Sequence, residues 1–376
     1  MQNTIFQRIT IAVFFIIIFT PCIWMIFGHK TVFSYTEKRM LATLPSIPDN
    51  LSQVKSFFSD IDRYLDDHFG FREWMVYRYQ RELKKRFPDA KRMTKVLKGL
   101  NNWYFFTGNN MLVDFTGGNL RSDDDLNKWI EAYRVKKRWL EKQGIAYLLI
   151  VPPNKMTVYK EFIGEPWVGQ KGVTRLSQLK SMLLDSDSST FLDLSPALVG
   201  KGNDDDILFF KSDTHWTPYG AYLAYLALAD KLETLFTDIH FKRDFTFSEP
   251  ITRFCNKKEN NCGDLTTMLL DYDSFDESYR DVKQISQCGK TSPVNLELSN
   301  LDHSNEEHSF RTSCPQKDLT AVVFRDSFFR PLIPYISVNF KEVIYLWKSF
   351  DQQNIEELLK IFKPDIVIEE IAERTL

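Results

Sequence analysis

One serine and one Asp-x-His pair are the residues of this sequence best suited to covalent chemistry. Ser327 follows a short apolar stretch, residues 319–324, which we predict to be a strand. In open parallel sheets, ligands bind beyond the carboxyl ends of the strands, so a serine in this position presents its hydroxyl to the ligand. Its own N–H can face a developing oxyanion. An ordinary turn serine is the alternative interpretation.

The Asp-x-His pair consists of Asp213 and His215, which directly precede a predicted helix capped by Thr217. An imidazole accepts a serine proton effectively when a partner on its other ring nitrogen fixes the tautomer, and Asp213 can be that partner. The alternatives are a helix cap with a buried histidine and a metal site. Since no third ligand is evident, we predict neither a metal nor another cofactor.

The elements that must position these residues alternate between short apolar strands and helices. Predicted strands cover residues 145–151, 190–194, 319–324, 342–347 and 365–368. Predicted helices run from a cap at Ser122 to a stop at Gly144, and over residues 175–184, 218–236 and 353–362. This alternation predicts an α/β fold with a mostly parallel sheet flanked by helices.

The N-terminal segment has the composition of a membrane span. Residues 9–27 are uncharged, and as a helix they extend roughly 28 Å, which matches the hydrocarbon thickness of a bilayer. Neither an A-x-A cleavage site nor a lipobox is present, so we predict an uncleaved signal anchor over residues 1–30 rather than a signal peptide. A buried core helix is the third alternative. A connector with amphipathic helices, broken near residues 69–71, follows over residues 31–98, and the main domain covers residues 99–376.

Four of the five cysteines fall within a predicted insertion at about residues 240–315 of the main domain: Cys255, Cys262, Cys288 and Cys314. In an exported domain, such a cluster predicts two disulfides, and the sequence leaves three pairings open. Zinc is the alternative, but the cluster contains no CxxC pair and no histidine-ligand motif.

Composition adds two further expectations. The net charge of −2 provides no field that would attract nucleic acid, so we predict no nucleic-acid partner. Aromatic residues make up 14% of the chain, and planar rings suit sugar surfaces. Among them, Trp216 lies next to His215, and we predict it to be a carbohydrate contact.

Several segments resemble the alginate O-acetyltransferase type of SGNH-hydrolase-like protein. They are TEKRMLATLP (36–45), DHFGFR (67–72), VPPNK with Val158-Tyr159 (151–159), DTHWT (213–217), CGDL (262–265), RDSF (325–328) and KPDIVIEEIAER (363–374). DTHWT before RDSF is the most specific pair, because other SGNH hydrolases place the serine block first and use Asp-x-x-His. Arg325 departs from the glycine that usually precedes the Asp-Ser pair.

The resemblance implies a serine-dependent O-acetyltransferase without a cofactor. Ser327 would be the nucleophile, His215 the general base and acid, and Asp213 the carboxylate that orients His215. The oxyanion hole would combine the Ser327 N–H with a second donor. Asn154, which follows the first sheet strand, is one candidate, and Gly263 or Asp264 of the CGDL segment are the others.

The resemblance also implies where the enzyme works and with what. The acceptor would be an exported polysaccharide such as alginate, and an integral-membrane protein would deliver the acyl group. The chain would cross the inner membrane once, with its catalytic domain in the periplasm. A carbohydrate acetylesterase with the same triad and a non-catalytic, glycan-binding subunit of an export complex are the alternatives. The glycan, the donor and the oligomeric state are not predicted.

Overall fold

The computed structural model describes residues 2–28, 33–34, 39–48, 50, 54–86, 95–183, 185–203, 206–255, 262–269, 276–283, 290–293 and 309–376. The chain forms two compact units. The first unit comprises Met1–Met93 and Thr267–Asp271, and the second comprises Thr94–Thr266 and Tyr272–Leu376. The predicted division into an anchor, a connector and a main domain that starts at residue 99 stays a prediction.

The described helices, in chain order, are α1 Gln2–Phe27, α2 Val54–His68, α3 Arg72–Arg86, α4 Met111–Phe115, α5 Asp123–Glu141, α6 Lys155–Val158, α7 Arg175–Met182, α8 Asp185–Ser188, α9 Ser195–Leu198, α10 Pro218–Leu235, α11 Asp264–Leu269, α12 Ile333–Ser337 and α13 Gln352–Leu359. The described strands are β1 Phe33–Ser34, β2 Arg39–Met40, β3 Val96–Lys98, β4 Tyr104–Phe106, β5 Ala146–Val151, β6 Phe191–Asp193, β7 Ile251–Phe254, β8 Asp276–Tyr279, β9 Lys290–Pro293, β10 Phe310–Ser313, β11 Thr320–Phe324, β12 Glu342–Leu346 and β13 Ile366–Glu370.

A seven-stranded sheet with the order β6-β5-β13-β11-β12-β10-β9 organises the second unit. The five strands from β6 to β12 are parallel, and β10 and β9 extend the sheet in antiparallel fashion. The predicted α/β fold with a mostly parallel sheet is therefore confirmed. The antiparallel extension was not predicted, because β9 and β10 are short and lack the apolar runs of the central strands.

Helices cover both faces of this sheet because its central strands are apolar on both sides. On one face, alternate strand residues such as Ile150 and Val323 pack with α10. On the other face, their neighbours, such as Leu149 and Val322, pack with α5, α7 and α13. The central strands are thus held rigidly between two helical layers. The backbone at their carboxyl ends, from which the candidate site residues extend, is therefore fixed in position.

The first unit contains the apolar helix α1, the amphipathic helix α2 and the highly charged helix α3. Its segment Ile5–Phe27 is long and apolar enough to cross a membrane, a property that membrane anchors and signal sequences share. The break predicted near residues 69–71 is confirmed, since α2 ends at His68 and α3 begins at Arg72.

One disulfide of the predicted insertion joins Cys255 to Cys262. Cys314 is also disulfide-bonded, whereas Cys288 lies outside the described residues. The Cys255–Cys262 bond closes the loop that connects β7 to α11. This loop leads directly into the Gly263-Asp264 pair, so the disulfide restrains a segment that reaches the candidate site.

Candidate active site

Ser327 lies three residues beyond the end of β11, at the carboxyl edge of the sheet. The Asp326 N–H donates to Oε2 of Glu370 at the end of β13 (2.8 Å). The Phe328 N–H donates to Oδ1 of Asp326 (2.6 Å). These two hydrogen bonds fix the chain on both sides of Ser327. Among the described residues, none accepts a hydrogen bond from the Ser327 N–H.

The structure places Asp213, His215 and Ser327 in hydrogen-bonding sequence. His215 Nε2 lies 2.8 Å from Ser327 Oγ, and His215 Nδ1 lies 2.7 Å from Asp213 Oδ1. The His215 N–H also donates to Asp213 Oδ1 (3.1 Å), which closes a tight local turn. Directly after it, the Thr217 side chain caps α10 by accepting from Gly220 N. The imidazole is therefore fixed between a carboxylate and a serine hydroxyl, which is the geometry of nucleophile activation.

The electrostatics of Asp213 favour its charged form. Burial alone would raise the pKa of this carboxyl, but the hydrogen bonds and charge of His215, together with Arg253, outweigh it. The net effect holds the pKa of Asp213 well below its usual range. Arg253 Nη2 lies 3.8 Å from Asp213 Oδ2, so the carboxylate has a cation on the side away from the imidazole. A permanently charged Asp213 stabilises an imidazolium.

Lys155 positions the loop that carries Asp213, a role that the sequence did not indicate. Its buried ammonium group donates to the carbonyl oxygens of Phe210, Lys211 and Asp213, at 2.9, 3.1 and 2.7 Å. The same ammonium group lies 5.5 Å from the ring centroid of Phe105. One lysine thus joins the loop after β5 to the loop before α10.

The Gly263-Asp264 pair of the CGDL segment contacts the loop that carries Asp213. The Asp264 N–H donates to Asp213 Oδ2 (3.2 Å), and its carboxylate accepts from the Thr214 N–H (2.8 Å). Both groups lie on the Nδ1 side of His215, whereas Ser327 is on the Nε2 side. The Asp264 N–H is therefore engaged with Asp213, and an oxyanion role for Asp264 stays a prediction that these contacts do not support.

Gly263 has a packing role that follows from its small size. A Cβ atom at this position would lie 2.2 Å from the carbonyl oxygen of Ser212. Only glycine permits this approach between the CGDL segment and the loop before Asp213. Its carbonyl oxygen accepts from the Thr266 hydroxyl (2.9 Å), and an oxyanion role for Gly263 stays a prediction.

Asn154 lies in a small concave site beside the triad. The lining of this site includes Phe105, Met156, Thr214, Phe328 and Arg374, in addition to Asn154. The Asn154 N–H donates to Oε2 of Glu373 (2.7 Å), which fixes the backbone, and its side-chain amide has no partner among the described residues. Asn154 therefore stays a candidate for the second oxyanion donor.

Trp216 is fully buried, which corrects its prediction as a carbohydrate contact. Its indole Nε1–H donates to the carbonyl oxygen of Phe328 (2.9 Å), and its ring packs against the Phe328 ring. A sugar cannot reach this side chain. Trp216 instead fixes the position of the residue after Ser327, so it stabilises the triad from within the core.

Three side chains around Nδ1 of His215 carry atoms that could hold a metal ion. Asp213, His215 and Asp264 offer three ligand atoms within 4.8 Å of one another. The Nδ1 atom of His215 is 2.7 Å from Asp213 Oδ1, and the Asp264 carboxylate accepts from the N–H and hydroxyl of Thr214. Asp264 is thus a third potential ligand that the sequence did not indicate, and these hydrogen bonds engage all three side chains.

Several further residues brace the site and were not predicted from the sequence. Arg374 Nη2 lies 3.1 Å from Asp326 Oδ2. Burial first, then the negative charge of Asp326, raise the pKa of Glu370 well above its ordinary value. The buried Glu277 accepts from the backbone N–H groups of Lys211 and Ser212. Arg374 and Glu370 belong to the KPDIVIEEIAER segment, which carries part of the family resemblance. The resemblance did not indicate which residues these two side chains would contact.

The chain matches a known family and known structures. Residues 96–298 match the family described as "SGNH hydrolase-like domain, acetyltransferase AlgX", and this segment contains Asp213, His215 and Asn154 but ends before Ser327. The probable alginate O-acetylase AlgJ of Pseudomonas aeruginosa is 24% identical over 225 residues, which cover 57% of this chain and 55% of AlgJ. The chain therefore spans about half the length of this curated relative.

Among solved structures, Bacillus cereus PatB1 superimposes with a TM-score of 0.51 and 14% identity, covering 74% of this chain and 95% of PatB1. This likeness concerns the fold, and it confirms the predicted SGNH-like architecture. The family match covers more than half of the sequence. The chain therefore belongs to the family of the SGNH hydrolase-like acetyltransferase domain of AlgX.

Proposed function

We propose that this protein is an O-acetyltransferase that moves an acetyl group through an acyl-Ser327 intermediate onto hydroxyl groups of an exported polysaccharide. The observation that carries the proposal is the unbroken chain of contacts from Asp213 through His215 to Ser327, at 2.7 and 2.8 Å. Membership of an acetyltransferase family supports the choice of acyl group.

In the first half-reaction, Ser327 Oγ attacks the carbonyl carbon of the acyl donor while His215 Nε2 accepts the hydroxyl proton. The carbonyl becomes a tetrahedral oxyanion, for which the Ser327 backbone N–H and the Asn154 side-chain amide are the proposed donors. The C–O bond to the donor then breaks, and His215 gives its proton to the departing oxygen. Acetyl-Ser327 and the deacylated donor result.

In the second half-reaction, a sugar hydroxyl replaces the donor. His215 takes the proton of this hydroxyl, whose oxygen attacks the acetyl carbonyl carbon, and Ser327 leaves with the proton that His215 returns. The small concave site beside the triad contains apolar groups of Phe105 and Met156, which suit the acetyl methyl group. Acetyl transfer to the sugar then depends on how completely the bound polysaccharide excludes water.

We further propose that α1 is an uncleaved anchor that crosses the inner membrane once and leaves the catalytic unit in the periplasm. Its 23-residue apolar segment supports this placement. An enzyme at this surface can receive acyl groups from an integral-membrane donor protein and transfer them to a polysaccharide during export. Alginate is the proposed acceptor class, because the curated relative is a probable alginate O-acetylase.

The test uses the full chain in nanodiscs with a chromogenic acetyl ester. We expect ester turnover and an acetyl adduct on Ser327 by mass spectrometry, and loss of both in Ser327→Ala. His215→Ala is expected to lose turnover as well. Ser181→Ala is the matched control, because Ser181 is an exposed serine on α7. Absence of both turnover and adduct in the unmodified protein would favour the glycan-binding alternative.

Acceptor experiments distinguish transfer from hydrolysis. With polymannuronate oligosaccharides added to the ester assay, a transferase places acetyl on the sugar at the expense of free acetate. A carbohydrate acetylesterase releases acetate whatever the acceptor concentration, and it removes acetyl from acetylated oligosaccharide. The partition of product between sugar and water is therefore the deciding measurement.

A further inference from the structure

The turn between α2 and α3 contacts α1 inside its apolar segment. A Cβ atom on Gly70 would lie 2.2 Å from the carbonyl oxygen of Pro21, so the two backbones touch. The ring of Phe71 stacks on that of Trp24, with centroids 4.9 Å apart. Phe71 adopts a φ of 63°, a conformation that costs a bulky residue energy and that this packing sustains.

The position of this contact along α1 determines its depth in a bilayer. Pro21 lies six residues before Phe27, the end of the apolar segment, which corresponds to roughly 9 Å along the helix axis. When Ile5–Phe27 spans a membrane, Pro21 lies inside the hydrocarbon layer, below its outer boundary, so a turn that touches Pro21 lies at the lipid rather than in water. The α2–α3 turn is therefore carried to the lipid by its contact with α1.

The side chains beside this turn suit that environment. Phe69 is 45% exposed, and Trp74 and Tyr79 on α3 are 60% and 66% exposed. Exposed tryptophan and tyrosine are typical of the membrane interface, where the ring is apolar and its polar atom stays hydrated. Arg78 lies over the Trp74 ring, 5.8 Å from its centroid, and adds a cation at the same surface.

The charge of α3 complements anionic headgroups. Its sequence REWMVYRYQRELKKR contains six basic and two acidic residues. Clusters of basic residues beside a transmembrane helix attract anionic lipid. The charge of α3, its exposed aromatic residues and the depth of the α2–α3 turn all indicate that lipid covers this surface.

We propose that α2 and α3 form a second, monotopic membrane contact, with Phe69, Trp74 and Tyr79 inserted in the lipid interface at the C-terminal end of α1. The proposal rests on the proposed anchoring of α1 and is independent of the chemistry at Ser327. It gives the first unit two contacts with lipid: α1 crosses the bilayer, and α2 and α3 bind its surface. The occupant is the same bilayer that α1 crosses.

The test places single NBD-labelled cysteines in the full chain, in a Cys22→Ser background, in nanodiscs of phosphatidylethanolamine and phosphatidylglycerol. The labelled variants are Phe69→Cys and Trp74→Cys. Ile16→Cys in α1 is the lipid-facing control, and Lys142→Cys, an exposed position in the second unit, is the aqueous control. Doxyl-labelled lipid and aqueous iodide serve as the two quenchers.

We expect lipid quenching at positions 69 and 74 to approach that at position 16, with iodide quenching at least about threefold weaker than at position 142. Labels at 69 and 74 that behave like position 142, with position 16 quenched by lipid, would overturn this inference and leave the anchor proposal standing. Protection from both quenchers would indicate a protein partner and also overturn it. A position 16 that lipid does not quench would overturn both.

Discussion

The ammonium group of Lys155 lies 2.7 Å from the carbonyl oxygen of Asp213, 58 residues further along the chain. Two more carbonyl oxygens of the same loop, those of Phe210 and Lys211, accept from this group. The loop therefore surrounds a buried cation, and the Asp213 carboxylate extends from this loop to His215. The orientation of the triad depends on a residue that touches none of its side chains.

Replacing Lys155 by Met is expected to loosen this loop. The change removes three hydrogen bonds, and although the Lys211 carbonyl oxygen still accepts from the Tyr104 N–H, those of Phe210 and Asp213 lose this donor. Each unmet buried carbonyl costs about 1–3 kcal/mol. We expect kcat for the chromogenic acetyl ester to fall roughly 10- to 100-fold, because small misplacements of catalytic groups are costly. We expect KM to change less than kcat, because the hydrogen bonds of Lys155 go to the loop, although Lys155 also lines the concave site.

The controls for Lys155 separate a local effect from general destabilisation. Lys142→Met removes an exposed lysine and should alter neither kcat nor the urea midpoint. Lys155→Arg retains charge and donors, and we expect it to recover part of the lost kcat. Activity of Lys155→Met equal to that of the unmodified protein would refute the positioning role.

Asp213→Asn tests whether the carboxylate, rather than the loop, is what His215 requires. An amide at this position can keep the short contact but presents the wrong partner to Nδ1 and removes the charge that opposes an imidazolium. We expect kcat to fall on the order of 10³–10⁴-fold with the fold intact. Circular dichroism and the acetyl-Ser327 signal by mass spectrometry provide the check: an undiminished rate of acylation would contradict the assignment.

The sequence predicted the positions of the triad because each lies at an element boundary with its own signal. Ser327 follows an apolar strand, and His215 precedes a helix with a Thr-Pro start. The contacts of Trp216 were not predictable in this way. An aromatic residue beside a catalytic histidine has the same local pattern whether it faces the crevice or the core, and only the packing of α10 on the sheet decides it.

The bracing residues were unpredictable for a related reason. Lys155, Glu277 and Arg374 act through contacts with residues more than 45 positions away. No periodicity along the chain specifies such pairs, because they depend on strand order and on the path of the insertion. Local sequence signals therefore indicate the proposed reacting groups and not the groups that hold them.

Asp264 provides a test of a second carboxylate near the imidazole. Its Oδ2 lies 3.9 Å from His215 Nδ1, and its carboxylate accepts from the Thr214 N–H and hydroxyl. Asp264→Asn keeps an acceptor but removes the charge, and we expect a roughly 3- to 10-fold loss of kcat, about 1 kcal/mol of transition-state stabilisation. Asp264→Ala also removes the hydrogen bonds and should cost more. Equal kcat values for the two variants would show that the charge, and not the bracing, matters.

Glu373 should make the stability of the protein depend on pH. Burial raises its pKa from 4.5 to about 7, against the hydrogen bonds from Asn154 and Thr157. The unfolded chain releases this proton near pH 4.5, whereas the folded protein keeps it to about pH 7. In that window the folded protein binds more protons, so the free energy of unfolding falls as pH rises.

Glu373→Gln removes this titration while it keeps an acceptor oxygen for the Asn154 N–H and the Thr157 hydroxyl. Relative to the unmodified protein, the variant should gain roughly 3 kcal/mol between pH 4.5 and pH 8, as measured by urea unfolding. The difference between the two proteins is the relevant quantity, because Glu370 adds a trend of the same sign to both. Glu141→Gln, at an exposed position on α5, should follow the unmodified protein at every pH. Parallel stability curves for Glu373→Gln and the unmodified protein would show that Glu373 ionises normally in the folded state.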